Sequence, residues 1–314
     1  MQVKGYRSER TLISCLYNEN RVVIHDLNIG EQKEIEIKGP LKCASSQCIV
    51  AVATKQSGLH LFSTDGVLVH VVPDSTDARC VALHPRNNNI LAFGYKDGTV
   101  RMWDVSTREY VSSIKEHARQ IMNVRFAPDG RLFMSSLDKT ASIVALDDLF
   151  QIVSSVKLEG HTRRVSDILP LPSSTKCVTC SEDYTIKVWD CRTGACLRTL
   201  TDHTDYVNAL TTSPNGQHFV SASDDQSVII WSTETFEIKN RITFPDEVAS
   251  LVHGGNGILY AGVYNHGVMS CNALTGEVGP VIIAATGNVQ GLALGMPSFF
   301  VLFVTTFHFS RAIV

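Results

Sequence analysis

At 314 residues, with 44% hydrophobic and 19% charged content, the chain has the composition of a folded globular protein, which excludes a disordered one. Its formal net charge of −3 excludes an overall basic field of the kind that holds nucleic acid or anionic membrane, while leaving room for a local basic patch. Nine Cys are scattered, five of them (Cys15, Cys43, Cys48, Cys80 and Cys177) in apolar, strand-like contexts where a thiol acts as a small hydrophobe. Their number and spacing fit a reducing, intracellular compartment, cytoplasmic and/or nuclear.

In chain order, the polar stretch Met1 to Arg10 has no signal-peptide core. Short β-rich runs follow at Leu12 to Cys15, Val22 to His25 and Glu34 to Ile37, then Leu59 to Phe62. Cys80 to Leu83, Ile90 to Gly94 and Val100 to Trp103 form the next unit. Ile121 to Phe126, Leu132 to Ser136 and Ser142 to Leu146 form another. The two clearest units have four runs each. One holds Val165 to Leu169, Val178 to Ser181, Ile186 to Trp189 and Cys196 to Leu200. The other holds Val207 to Thr211, Phe219 to Ser223, Val228 to Trp231 and Ile238 to Ile242. Val268 to Cys271 belongs to a weaker copy, and Val289 to Leu294 is an extra strand with no unit of its own.

The runs repeat at a fixed step. Trp103-Asp104 and Trp189-Asp190 stand 86 residues apart, twice 43, with Leu146-Asp147 midway, and Trp231 follows 42 after Trp189. Counting outward gives seven anchors: His25, Phe62, Trp103, Leu146, Trp189, Trp231 and Cys271. Seven four-stranded units predict an all-β fold, a seven-bladed ring of antiparallel blades spanning 1–314 as one domain. Pairing Val289 to Leu294 with the incomplete first unit would close it, joining the N- and C-terminal segments and leaving no open sheet edge. Residues 298–314 read as an atypical apolar segment. Its run Phe299 to Phe309 is broken upstream by Gly295, Pro297 and Ser298 and is too short for a membrane span, so a closing strand is expected over an anchor.

The residues His161, Thr179, Asp183 and Trp189, and again His203, Ser221, Asp225 and Trp231, resemble the WD-repeat β-propeller family over about Leu12 to Leu294. The resemblance implies that each set is a buried hydrogen-bonded staple: Asp fixes the His tautomer, and the His ring reaches a hydroxyl that meets the indole N–H. The step of six from Asp97, Asp183 and Asp225 to the next Trp agrees, whereas Asp138 lies eight before Leu146. The units around Phe62 and Cys271 lack the set, so apolar packing alone is expected there. A Ser-His-Asp triad is the competing reading, but the set recurs in successive units and no nucleophile-elbow sequence surrounds either Ser, so no catalytic residue and no enzyme activity is assigned.

The resemblance also implies that partners bind across one face of the ring, near the channel. The positions carried over are Asp77, Arg79 and Lys96; Gln120 and Met122; Arg164, Ser166 and Glu182; and Tyr206, Asn208 and Asp224. Tyr206 offers the largest rigid area, and Arg79, Arg163 and Arg164 suit carboxylate or phosphate. These features point to a scaffold or adaptor for protein or peptide partners, subunits of a larger complex. The alternative comes from Trp189-Asp190-Cys191-Arg192, which resembles the box by which substrate receptors dock on a cullin-RING ubiquitin ligase through an Arg such as Arg192. Phosphate-binding glycine loops, dinucleotide fingerprints and metal-ligand spacings are absent from the sequence, so no cofactor, metal or small-molecule substrate is assigned. Basic residues interleaved with aromatics are absent too, so nucleic acid is not indicated.

Overall fold

A computed structural model describes residues 11–27, 30–45, 49–55, 57–63, 66–173, 175–254 and 257–295. The closing-strand expectation for Phe299 to Phe309, and the segment 298–314 as a whole, lie outside them.

The described residues form 28 strands in seven four-stranded antiparallel sheets, the expected seven blades. Blades 2 to 7 each take four successive strands, from β4 (Pro40–Ser45) through β7 (Leu68–Val71) in blade 2 to β24 (Val248–His253) through β27 (Val278–Ile283) in blade 7. Blade 1 is composite, in the order β28-β1-β2-β3. The strand β28 (Val289–Gly295) pairs antiparallel with β1 (Thr11–Leu16), Leu12 facing Leu294 and Ile13 facing Ala293. The expected closure is therefore made, with the late strand innermost. Neighbouring contacts run around the inner strands from β28 through β4, β8 (Ala78–Leu83), β12 (Ile121–Phe126), β16 (Val165–Pro170), β20 (Val207–Thr212) and β24 back to β28.

Alternation explains how the ring coheres. In a strand, successive side chains point to opposite faces, and each blade is buried on both. Leu12 and Leu16 pack toward blade 7, whereas Ile13 and Cys15 pack toward blade 2. Each interface between adjacent blades has its own apolar cluster. Cys177 joins the cluster shared with blade 4 and Cys180 the one shared with blade 6. The C-x-x-C pair therefore straddles its strand, as alternation requires. Outer strands contribute little: β19 (Cys196–Leu200) buries only Leu200.

The anchors behave unequally. Trp103, Trp189, Trp231, Phe62, Cys271 and His25 each lie where the third strand pairs the start of the second. In blade 4 this role is split. The third-to-fourth-strand bulge falls at Leu146, but the step of six from Asp138 reaches Val144, which pairs Leu132 and is fully buried. Within β14 (Ala141–Leu146), Val144 and Leu146 thus divide two roles that a single Trp fills in blade 5.

Candidate functional site

The hydrogen-bonded sets are interior. In blade 5, His161 Nδ1 lies 2.8 Å from Asp183 Oδ2, and His161 Nε2 lies 2.7 Å from Thr179 Oγ1. That hydroxyl also accepts from Trp189 Nε1 at 2.8 Å. Blade 6 repeats the geometry with His203, Asp225, Ser221 and Trp231 at 2.7, 2.8 and 2.9 Å. Burial alone would raise both carboxyls. Hydrogen bonds from the His and from Thr185 or Ser227 outweigh it and hold Asp183 and Asp225 far below the usual carboxylate range. Thr179 and Ser221 are fully buried, which keeps a substrate carbonyl from reaching either hydroxyl.

Two blades alter the staple. In blade 4, Met134 stands where blade 5 has Thr179, and the hydroxyl comes from Ser142, directly opposite on the next strand, 2.8 Å from His117 Nε2. His117 Nδ1 still meets Asp138 at 3.0 Å, and burial lowers the His117 pKa. In blade 3, Phe93 fills the hydroxyl position, so Trp103 Nε1 is buried with no hydrogen-bond partner among the described residues. Its ring packs against Tyr110 and His70 instead. The step of six from Asp97 thus preserves a turn, in which Asp97 binds Thr99, without a staple. The expectation of apolar packing alone in blade 2 is corrected: Thr54, Ser57 and His60 are linked at 2.9 and 3.0 Å, and Ser75 Oγ accepts from Leu59 N at 2.8 Å.

The positions assigned to partner binding have a common backbone cause. In every inner strand the register slips by one residue, at Leu41, Arg79, Met122, Ser166, Asn208, Ala249 and Gln290. A bulge leaves that residue unpaired and re-aims its side chain. A second constant feature sits beside it. The amide of the residue after the second strand donates to the carbonyl of the residue just before the first. The seven pairs are Lys55–Gly39, Lys96–Asp77, Leu137–Gln120, Glu182–Arg164, Asp224–Tyr206, Tyr264–Glu247 and Tyr17–Asn288. Together these fix three rim positions per blade, 21 in all. All eleven residues named from the sequence fall on them. The remaining ten (Tyr17, Gly39, Leu41, Lys55, Leu137, Glu247, Ala249, Tyr264, Asn288 and Gln290) were missed: nine of them lie in blades 1, 2 and 7, where the repeat has no visible landmark, and Leu137 precedes Asp138 in blade 4, where the step to the anchor departs from six.

The rim is charged unevenly. Arg79, Lys96, Gln120 and Met122 are brought together in one cavity with Lys42 and Lys55. Arg164 pairs with Glu182 at 2.9 Å, while Ser166 is buried, with 7% of its surface exposed. Asn208 donates to Asp224 at 2.5 Å. Burial, with Glu247 and Asp205 nearby, raises the Asp224 carboxyl to about 6. Tyr206 accepts from Arg163 at 3.2 Å and packs against Tyr184. Arg192 is exposed at the far end of β18 (Ile186–Asp190), on the opposite face from the rim; Asp190 accepts its backbone amide.

One ion pair with a buried carboxylate and a half-buried guanidinium lies in the channel wall. Asp167 accepts from Arg125 Nε and NH2 at 3.1 and 2.7 Å, from Asn123 at 2.5 Å, and from the Leu210 amide at 2.9 Å. Arg125 also donates to Leu210 O at 2.8 Å. It clamps the inner strands of blades 4, 5 and 6. Burial would raise Asp167, but the Arg125 charge prevails and lowers it. A carboxylate inside the apolar run Val165 to Leu169 was the available signal. Among the described residues no group of His, Cys, Asp and Glu is arranged to hold a metal, and no helix is long and apolar enough to cross a membrane.

Comparison with known proteins agrees with this architecture. The family model described as Vps8 beta-propeller matches residues 28–183, and that described as WD domain, G-beta repeat matches 194–232. Curated relatives named nuclear distribution protein PAC1 include that of Gibberella zeae, 28% identical over 140 residues, covering 42% of this chain and 30% of the relative. That of Arthroderma otae is 34% identical over 133 residues, covering 40% and 29%. That of Arthroderma benhamiae is 35% identical over 133 residues, with the same coverage. The matched region spans under a third of these relatives' length.

Proposed function

The chain belongs to the WD-repeat β-propeller family, and from that premise we propose that it is a non-catalytic scaffold that holds protein or peptide subunits of an intracellular complex across its rim. The observation that carries this reading is the convergence of the bulged and turn positions of all seven blades on one face, with differing chemistry at each. The residues that repeat are buried and structural; those that vary on the rim are, Ser166 apart, exposed or half-buried. A rigid scaffold lowers the entropy cost of binding because the contact residues are held before a partner arrives.

The test is affinity purification of the intact protein with mass spectrometry, beside a variant carrying Arg79→Ala, Arg164→Ala and Tyr206→Ala. Partners held by the parent and lost from a folded variant support the reading; an identical partner set from both refutes it. A second reading, docking on a ubiquitin-ligase adaptor, draws on the exposure of Arg192 on the opposite face. It requires that Arg192→Ala abolish co-purification of the adaptor while rim partners are retained.

A further inference from the structure

Rim side chains of blades 1 to 4 open into one cavity of about 360 Å3. Its charged lining is Lys42, Lys55, Arg79 and Lys96, and no carboxylate lines it. Two of these cations are held in place by the protein itself. Lys55 donates to Tyr17 Oη at 2.7 Å and sits 5.5 Å from the centre of the same ring, and Arg79 donates to the Lys55 carbonyl at 3.2 Å. Asp77 approaches Arg79 only to 3.6 Å and is itself mostly exposed. Lys42 and Lys96 have no ion pair among the described residues.

Across the mouth the charge is reversed. Asp205, Asp224 and Glu247 stand together in blades 6 and 7, and Arg164 is already paired with Glu182. A protein of net charge −3 has thus concentrated positive charge, with Asp77 its one ion-paired carboxylate, at one arc of its rim and negative charge at the other.

We propose that this cavity binds an acidic segment of a protein partner, with clustered carboxylates at Lys42, Lys55, Arg79 and Lys96, and that the acidic arc sets the segment's direction by receiving a basic residue. The inference rests on the rim reading above and specifies its ligand chemistry. All four cations line one cavity of about 360 Å3, and with a Debye length of about 8–10 Å a segment seated in it feels them jointly. A single carboxylate would leave most of that charge uncompensated, which favours a cluster. The overall negative charge of the protein rules out general attraction as the source of such binding.

The probe is a fluorescein-labelled octaglutamate peptide, read by anisotropy against the full chain at low and at physiological salt. Binding is expected to weaken about ten-fold in Lys96→Glu, further in Lys55→Glu/Lys96→Glu, and by an intermediate factor in Lys96→Ala. It should be unchanged in Lys239→Glu, an exposed outer-strand site. Octalysine should not compete for the cavity. Absence of octaglutamate binding, or equal loss in Lys239→Glu, overturns the proposal. So does complete displacement by inorganic phosphate at equal concentration, which would mark a free-anion site. If octaglutamate fails while the rim variant of the preceding section still loses its partners, the rim reading stands and the acidic ligand is wrong.

Discussion

Thr179 is where the blade 5 staple can be cut with least collateral change. Valine keeps its volume and β-branched shape and removes only the hydroxyl. That hydroxyl lies 2.7 Å from His161 Nε2 and 2.8 Å from Trp189 Nε1, and the residue is fully buried. With Asp183 accepting from Nδ1–H, the hydroxyl donates to Nε2 and accepts from the indole. Thr179→Val therefore orphans two buried groups, at about 1–3 kcal/mol each. Trp103 shows that one orphaned indole is tolerated, so a loss near the lower half of that sum is expected, about 3 kcal/mol. For a chain of this size that corresponds to a fall in Tm of about 4–5 °C. Urea unfolding followed by circular dichroism measures the loss. Hydrogen exchange should place it in β17 (Lys176–Ser181) and β18. Thr179→Ser retains the hydroxyl and should stay within about 1 kcal/mol of the parent. If Val matches the parent, or if Ser falls as far as Val, the hydroxyl is not the junction described here.

Ser142→Ala should cost about 1–2 kcal/mol in the same assay, because His117 loses its partner. The adjacent Ser135→Ala should cost nothing or stabilise, since the Ser135 hydroxyl is buried without one. Arg125→Met leaves Asp167 buried without its countercharge and should cost about 3–5 kcal/mol, most of it recovered in Arg125→Met/Asp167→Leu; failure of the double variant to recover would argue against a clamp. For Asp224 the carboxyl is raised to about 6 in the folded state, above the ordinary 3.8 of an Asp, so the folded state holds the proton more tightly. The resulting penalty is absent below pH 3.8 and complete above about pH 6. Asp224→Asn should accordingly raise Tm at pH 8, leave it unchanged at pH 3.5, and flatten the profile between; an equal shift at both pH values would refute the assignment.

The step of 43 and 42 residues between Trp-containing units was enough to read seven blades and the closure by Val289 to Leu294. Period is a property of spacing, and it survives the loss of individual residues. The staples of blades 5 and 6 were equally legible, because each hydrogen-bonding group has its own residue type at its own step. Where the residue type changed, the reading stopped. Ser142 replaces a hydroxyl lost at Met134 from the opposite strand, a substitution visible only once the two are paired in register. The rim positions of blades 1, 2 and 7 were invisible for a related reason. They are defined by a bulge and a backbone hydrogen bond, which any residue type can make.

Periodicity along the chain therefore determined the blade count, the buried stripes and two of the staples, since alternation and spacing act locally. The ring decided what lies beside what. It set Lys42 and Lys55 of one blade against Arg79 and Lys96 of the next, and brought Asp167 to Arg125 across inner strands 42 residues apart in sequence. Charge segregation on the rim depends on distances that exist only when β28 closes the circle, and one-dimensional order carries no record of them.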